Sequence, residues 1–275
     1  MSGINIRIYM LIFCFSIISS RSIAQNNNMS IGEKLVDDGF IFLRDGASYF
    51  TAPSRFSTDD WALFGLAATG TFLFLNLDES IQDAVSRNNA ETLNGDFWDI
   101  PTSYGIVAYA NIASLATYGA GLLTGEDEVR KVGRMMFQSL TYSGIAVMLL
   151  RTLFGRERPY SGKGAWEFTG ISFDNEVQSF PSGHTTVAFA FSTVLAEYFA
   201  TIWSRLLFYG MASLTAYARI YNNQHWFSDV FVGALLGLTA GFHVINEQRK
   251  RENNTESGLS INIGLNRIEI RYALW

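Results

Sequence analysis

Cysteine occurs once in the 275 residues, as Cys14, and histidine only three times, as His184, His225 and His243. Cys14 sits in an apolar stretch, Ile8 to Ile18, that follows Arg7 and precedes Ser22-Ile23-Ala24. That is the pattern of a secretory signal over 1–24, and Phe13 ahead of the cysteine does not fit a lipoprotein cleavage site. Removing the segment leaves a mature chain without a thiol, which excludes disulfides, thiolate catalysis and cysteine-type zinc sites. Three histidines without cysteine are also too few for a protein-only metal cage, so neither a metal nor a cofactor is expected. Positive charge is short as well: the net charge is −5, which argues against a nucleic-acid partner.

The chain is rich instead in Phe, Tyr and Trp. Residues 25–60 are polar and mixed, and read as a non-spanning amphipathic lead-in with Lys34, Asp37 and Asp38 in solvent. Five apolar runs of near-bilayer length follow, at about 104–123, 134–153, 183–200, 204–221 and 229–245, and a sixth, Trp61 to Leu77, is shorter. The expected fold is therefore all-α, a multi-helix membrane bundle of five or six spans over 61–246. The alternative is a large soluble bundle with buried apolar helices. Beyond a basic linker, SINIGLNRIEIRYALW alternates apolar and polar residues, which predicts a short C-terminal β-hairpin within 247–275.

Arg130, Lys131, Arg134, Arg205, Arg249, Lys250 and Arg251 all fall on one side of a simple zigzag of the five runs. The positive-inside rule makes that side cytoplasmic and puts 154–182 and 221–228 outside, with the acidic segment Asp78 to Asp99. A cleaved signal places the new N-terminus outside too. A full crossing by 61–77 would then invert the scheme, so either that run does not cross or 1–24 is not a cleaved signal.

Three polar clusters interrupt the apolar runs. RTLFGRERP carries Arg151 and Arg158 seven residues, or two helical turns, apart, although Gly155 and Pro159 interrupt a helix there. FPSGHTTVAF opens an apolar helix with Ser182 as cap, Gly183, and His184 at its mouth; unpaired N–H groups at a helix start attract an anion. ARIYNNQHWFSD carries Arg219, His225 and Asp229, the last two at i and i+4 on one helical face, so that the carboxylate can orient the imidazole. His243, in GFHVIN, has no matching partner and reads as a packed core residue. Arginines for phosphate oxygens, a helix N-terminus, one imidazole backed by a carboxylate and a second imidazole form a phosphoryl-transfer site.

Arg-x6-Arg-Pro at 151–159, Pro-Ser-Gly-His at 181–184 and Arg-x5-His-x3-Asp at 219–229 resemble, in order and spacing, the three signature motifs of the type 2 phosphatidic acid phosphatase (PAP2) superfamily. The hydrophobic layout resembles its bacterial membrane members. Two positions depart: Arg151 stands where the family usually has Lys, and Ala218 where it usually has Ser. The resemblance implies a metal-independent phosphatase in which His225 is the nucleophile, Asp229 its orienting carboxylate and His184 the general acid. It also implies that Arg151, Arg158, Ser182, Gly183 and Arg219 bind the phosphate oxygens. For a membrane member the expected substrate is a lipid phosphate or diphosphate: a polyprenyl diphosphate, phosphatidylglycerophosphate, phosphatidate or a lipid A phosphate. Membrane lipid is then the surroundings, with the site of an inner-membrane enzyme facing the periplasm. Two alternatives stand beside this, a periplasmic phosphatase of soluble esters and a non-catalytic membrane protein that binds or transports anions.

Overall fold

Ser30 starts the first helix by a reciprocal cap: its hydroxyl accepts from Glu33 N–H while the Glu33 carboxylate accepts from Ser30 N–H. In this computed structural model the described backbone covers residues 29–88, 95–256, 259–264 and 267–272, and the described side chains cover 29–86 and 97–253. The expected signal segment, 1–24, lies outside the described residues. Eight α-helices follow one another: α1 (Ile31–Phe50), α2 (Thr58–Asn88), α3 (Gly95–Tyr104), α4 (Val107–Thr124), α5 (Asp127–Phe154), α6 (Gly183–Phe199), α7 (Ile202–Tyr221) and α8 (Phe227–Glu256). The all-helical expectation for the domain holds. Leu259–Gly264 and Arg267–Tyr272 run antiparallel beyond the bundle.

The core lies between α5, α6, α7 and α8, where Val132, Met136, Leu140, Phe191, Val194, Phe208 and Val244 are buried together. Helices α6 and α8 approach closely because Gly233, Gly237 and Gly241 form a small-residue stripe at four-residue spacing. A methyl group on Gly237 would stand 2.6 Å from Thr186 O, and one on Gly241 2.5 Å from Thr193 Cβ.

Contacts define two ends. Lys34 of α1 meets Asp127 at the start of α5, Lys131 of α5 meets Glu252 of α8, and Arg249 of α8 donates to Glu197 O of α6. At the opposite end, Asp78 of α2 meets Arg156 just beyond α5, and Gly105, between α3 and α4, lies against His184 of α6. Residues 31–78 therefore lead from the first end to the second. The chain then returns along α4, and α5 to α8 add four further passes, so residues 31 and 256 share one end. Of the two readings of 61–77, the arrangement favours a full pass: α2 is 31 residues long and leads to Asp78 at the far end.

The expected five or six spans are also revised when judged by length and composition. Among the described helices, Thr58–Ser86 and Phe227–Asn253 are long and apolar enough to cross a membrane, and a third qualifies if α3 and α4, bent by 55°, count together. Helix α6 has 17 residues, fewer than the about 20 a span ordinarily needs. Helix α5 begins with Asp127, Glu128, Arg130, Lys131 and Arg134. Most of Thr58–Ser86 faces outward, with Trp61, Leu63, Phe64, Leu66 and Phe72 exposed.

Helix α1 also departs from expectation. Lys34 and Asp38 are buried and only Asp37 is exposed. Asp38 pairs with Arg130 and Arg134, and Asp45 with Arg251 at 2.8 Å. Ile31, Leu35, Val36, Phe40 and Leu43 are left on the outside. The polar face turns inward because α5 and α8 present arginines there, and a buried cation requires a paired anion.

Candidate active site

Arg151 lies in the last turn of α5, which ends where Gly155 adopts a left-handed conformation (φ 52°). A side chain at Gly155 would strike Gly170 O at 2.3 Å, so the turn admits only glycine. Arg158 follows in extended backbone. The two arginines thus meet through a broken helix, not along one helical face. Arg151 Nε donates to Pro181 O at 3.0 Å, and Arg158 Nη1 to Gln224 O at 3.3 Å. Arg219, in the last turn of α7, is buried with its Nε unpartnered. These three guanidinium groups are close enough to repel one another, and among the described residues none forms an ion pair with a carboxylate.

Ser182 occupies the cap position of α6, but its side chain makes no cap bond; instead Thr185 Oγ1 donates to Ser182 Oγ at 3.0 Å. The first N–H groups of the helix therefore stay available, with Gly183 beneath the Arg151 guanidinium: a methyl there would lie 3.0 Å from Arg151 Nη2. Ser182 N–H donates to Asp229 O at 3.0 Å, fixing this turn to α8. His184 follows in the first helical turn, half-buried.

His225 is buried in the turn before α8, with Asp229 in that helix's first turn, so the pair does not share a helical face as expected. Its Nδ1 lies 2.9 Å from Ser179 O and 3.6 Å from Asp229 Oδ2. A proton on Nδ1 thus donates to the Ser179 carbonyl, and Nε2 keeps its lone pair. Burial outweighs the pull of Asp229 and lowers the imidazole to about 4, so it is neutral at pH 7.

Residues 134–252, which contain all three motif clusters, match the model of the PAP2 superfamily. That stretch is thus similar to the PAP2 superfamily. A Lipid A 1-phosphatase from Porphyromonas gingivalis is 46% identical over 65 residues, 23% of this chain and 15% of the relative. A Lipid A 1-phosphatase from Rhizobium etli is 32% identical over 108 residues, 38% of this chain and 46% of the relative. The chain thus spans less than half the length of these curated relatives. The crystal structure of a transmembrane PAP2 type phosphatidylglycerolphosphate phosphatase from Bacillus subtilis shares the fold, with a TM-score of 0.50, 20% identity, and coverage of 66% of this chain and 96% of that one.

The structure brings every expected PAP2 site residue to one end of the bundle, and adds several that the sequence did not single out. Asp229 is held on both oxygens: Oδ1 accepts from Arg156 Nη1 at 2.5 Å, and Oδ2 from Ser179 Oγ at 2.5 Å and Trp226 N–H at 2.9 Å. Arg156, inside the first cluster, is fully buried and also pairs with Asp78 at 2.8 Å. The one available signal was Arg156 lying inside the first cluster. Nothing in the sequence joined it to Asp78, 78 residues earlier. His243 is a packed residue as expected, donating from Nε2 to Asp45 O at 2.9 Å against the Tyr49 ring.

Proposed function

We propose that this protein is a metal-independent phosphatase that hydrolyses a lipid phosphate or diphosphate through a phosphohistidine intermediate. One observation carries the reading: three arginines without carboxylate partners converge on an uncapped helix start beside a buried, neutral histidine. Such a cluster is electrostatically incomplete without an anion, and a phosphoryl group supplies the charge and the oxygens.

Arg151, Arg158, Arg219, Ser182 and the Gly183 N–H hold the non-bridging oxygens. His225 Nε2 attacks phosphorus, forming an N–P bond as the P–O bond to the lipid breaks, while His184, protonated once the phosphate's negative charge offsets the three arginines, gives its proton to the departing oxygen. Positive charge then builds on His225, and Asp229 stabilises it. In the second half His184 takes a proton from water, the water oxygen bonds to phosphorus, and the N–P bond breaks to release phosphate.

On this reading the passes of the bundle are membrane spans, short ones included, and the site opens at their outer rim. A lipid phosphate enters there sideways with its tails still in the bilayer. The names of the curated relatives favour a lipid A phosphate among the candidates. The tail hairpin is an accessory to this arrangement. Because the alternative of a silent anion binder needs the arginines but no oriented nucleophile, His225 and its Ser179 contact favour turnover.

The decisive experiment is phosphate release from lipid A, a polyprenyl diphosphate, phosphatidylglycerophosphate, phosphatidate and a soluble phosphomonoester, with and without EDTA. Release from a lipid that survives EDTA and is competed by vanadate is expected. Release only from the soluble ester would favour the soluble-substrate reading, and activity restored only by added metal would overturn the mechanism.

A further inference from the structure

Arg156 uses every guanidinium N–H. Nε and Nη2 donate to Ala165 O, Nη1 to Ser228 Oγ and Asp229 Oδ1, and Nη2 to Asp78 Oδ2. The group lies between the rings of Phe168 and Trp226, 5.2 and 5.5 Å from their centroids. Asp78 is equally enclosed, accepting from Ser228 N–H at 2.9 Å and Ser228 Oγ at 2.5 Å. Asp78 comes from α2, outside the stretch that matches the family, and reaches the first turn of α8.

We propose that Asp78 and Arg156 are positioning residues that set both the place and the effective charge of Asp229, so that α2 completes the catalytic end of the bundle. The inference rests on the function proposed above. Its physical basis is a charge count. Arg156 bonded to Asp229 alone would form a neutral pair, leaving little field to stabilise a cationic His225. Asp78 shares the guanidinium, so the buried triad Asp78–Arg156–Asp229 keeps a net charge of about −1 next to the imidazole. The bonds from Ser179 and Trp226 then hold the remaining carboxylate oxygen toward Nδ1.

The test compares purified wild type, Asp78→Asn, Asp78→Glu, Arg156→Gln and the double variant Asp78→Asn/Arg156→Gln on the lipid phosphate that the wild type hydrolyses best. Asp78→Asn keeps the shape but makes the triad neutral; kcat is expected to fall about 10- to 100-fold, the range typical of outer partners of a reactive group, with KM nearly unchanged. Asp78→Glu should restore part of the loss. The double variant, whose triad again carries one negative charge, should exceed Asp78→Asn in kcat, whereas a merely structural role would make it worse. Glu79→Gln, in the next residue of α2 and bonded to Ala165 N–H but not to Arg156, should behave as wild type. Vanadate inhibition constants report an intact cradle, and if Asp78→Asn cannot be purified folded, the double variant against wild type decides: because its triad keeps one negative charge, kcat within about 100-fold of wild type is expected, and a greater loss overturns the inference. Wild-type kcat in Asp78→Asn, or a double variant slower than both single variants, overturns the inference while leaving the phosphatase reading intact. No phosphate release by the wild type from any substrate overturns both.

Discussion

The two ring nitrogens of His225 have different fates: one is occupied by the Ser179 carbonyl, the other is left for chemistry. His225→Ala should therefore lose activity by about three orders of magnitude or more while remaining folded, and acid-quenched wild type should retain labelled phosphate that the variant lacks. A variant keeping a tenth of wild-type turnover would refute the nucleophile assignment. The lowered pKa adds a second expectation. A histidine near 6.5 when unfolded but about 4 when folded stays neutral in the native state, so the acid limb of kcat/KM set by this group lies near pH 4, not 6.5. Between those values the unfolded chain binds the extra proton, so His225 makes the protein less stable as pH falls from 6.5 toward 4. Parallel activity and thermal-unfolding profiles from pH 4 to 8 check both. The motif residues were legible because arginine, histidine and a turn at fixed spacing have few other uses in an apolar chain. Arg156 and Asp78 were not, because an ion pair across 78 residues leaves no periodic trace.

At the level of the helix, the contact that places the site is the glycine stripe of α8 against α6. Gly237→Ala should cost about 1–3 kcal/mol, the range for overpacking, because the added methyl would meet backbone atoms of Thr186 and Ala190 that cannot swing aside. Gly39→Ala in α1, which faces open space, should change stability by less than about 1 kcal/mol and in the stabilising direction. Thermal unfolding in one detergent compares the two; equal effects would mean that the seam is looser than described. Helix positions themselves were readable from apolar runs, and five of the runs coincide with parts of α4 to α8. Their count as spans was not, since the same apolarity serves a buried helix such as α6 and an outward-facing one such as α2. The lead-in was misread for a related reason: amphipathicity states that a helix has two faces, not which one turns inward.

For the whole molecule, residues 31 and 256 at one end create a conflict between two sequence expectations. A cleaved signal places residue 31 outside, and then the site faces the cytoplasm. The positive-inside rule places the basic end in the cytoplasm, and then the site faces the periplasm and residues 1–24 are not removed on the far side. The basic end holds all seven lysines and arginines counted in the sequence, and the periplasmic site is the outcome expected. In a Cys14→Ser background, Lys163→Cys, exposed beside the site, should react in intact spheroplasts with a membrane-impermeant thiol reagent, and Lys250→Cys only after lysis. The reverse pattern would put the site in the cytoplasm.

The inward charges of α1 bear on how the protein is made. Asp45 pairs with Arg251, which the ribosome adds 206 residues later. Until then its carboxylate has no arginine from α8 to meet, and α1 is held only by its earlier ion pairs with α5, Lys34 to Asp127 and Asp38 to Arg130 and Arg134. Nascent chains stalled before residue 251 should leave a reporter at Arg44, exposed beside Asp45, more open to protease than chains released after it. The N-terminal helix is in this sense completed late, although its residues are among the first made.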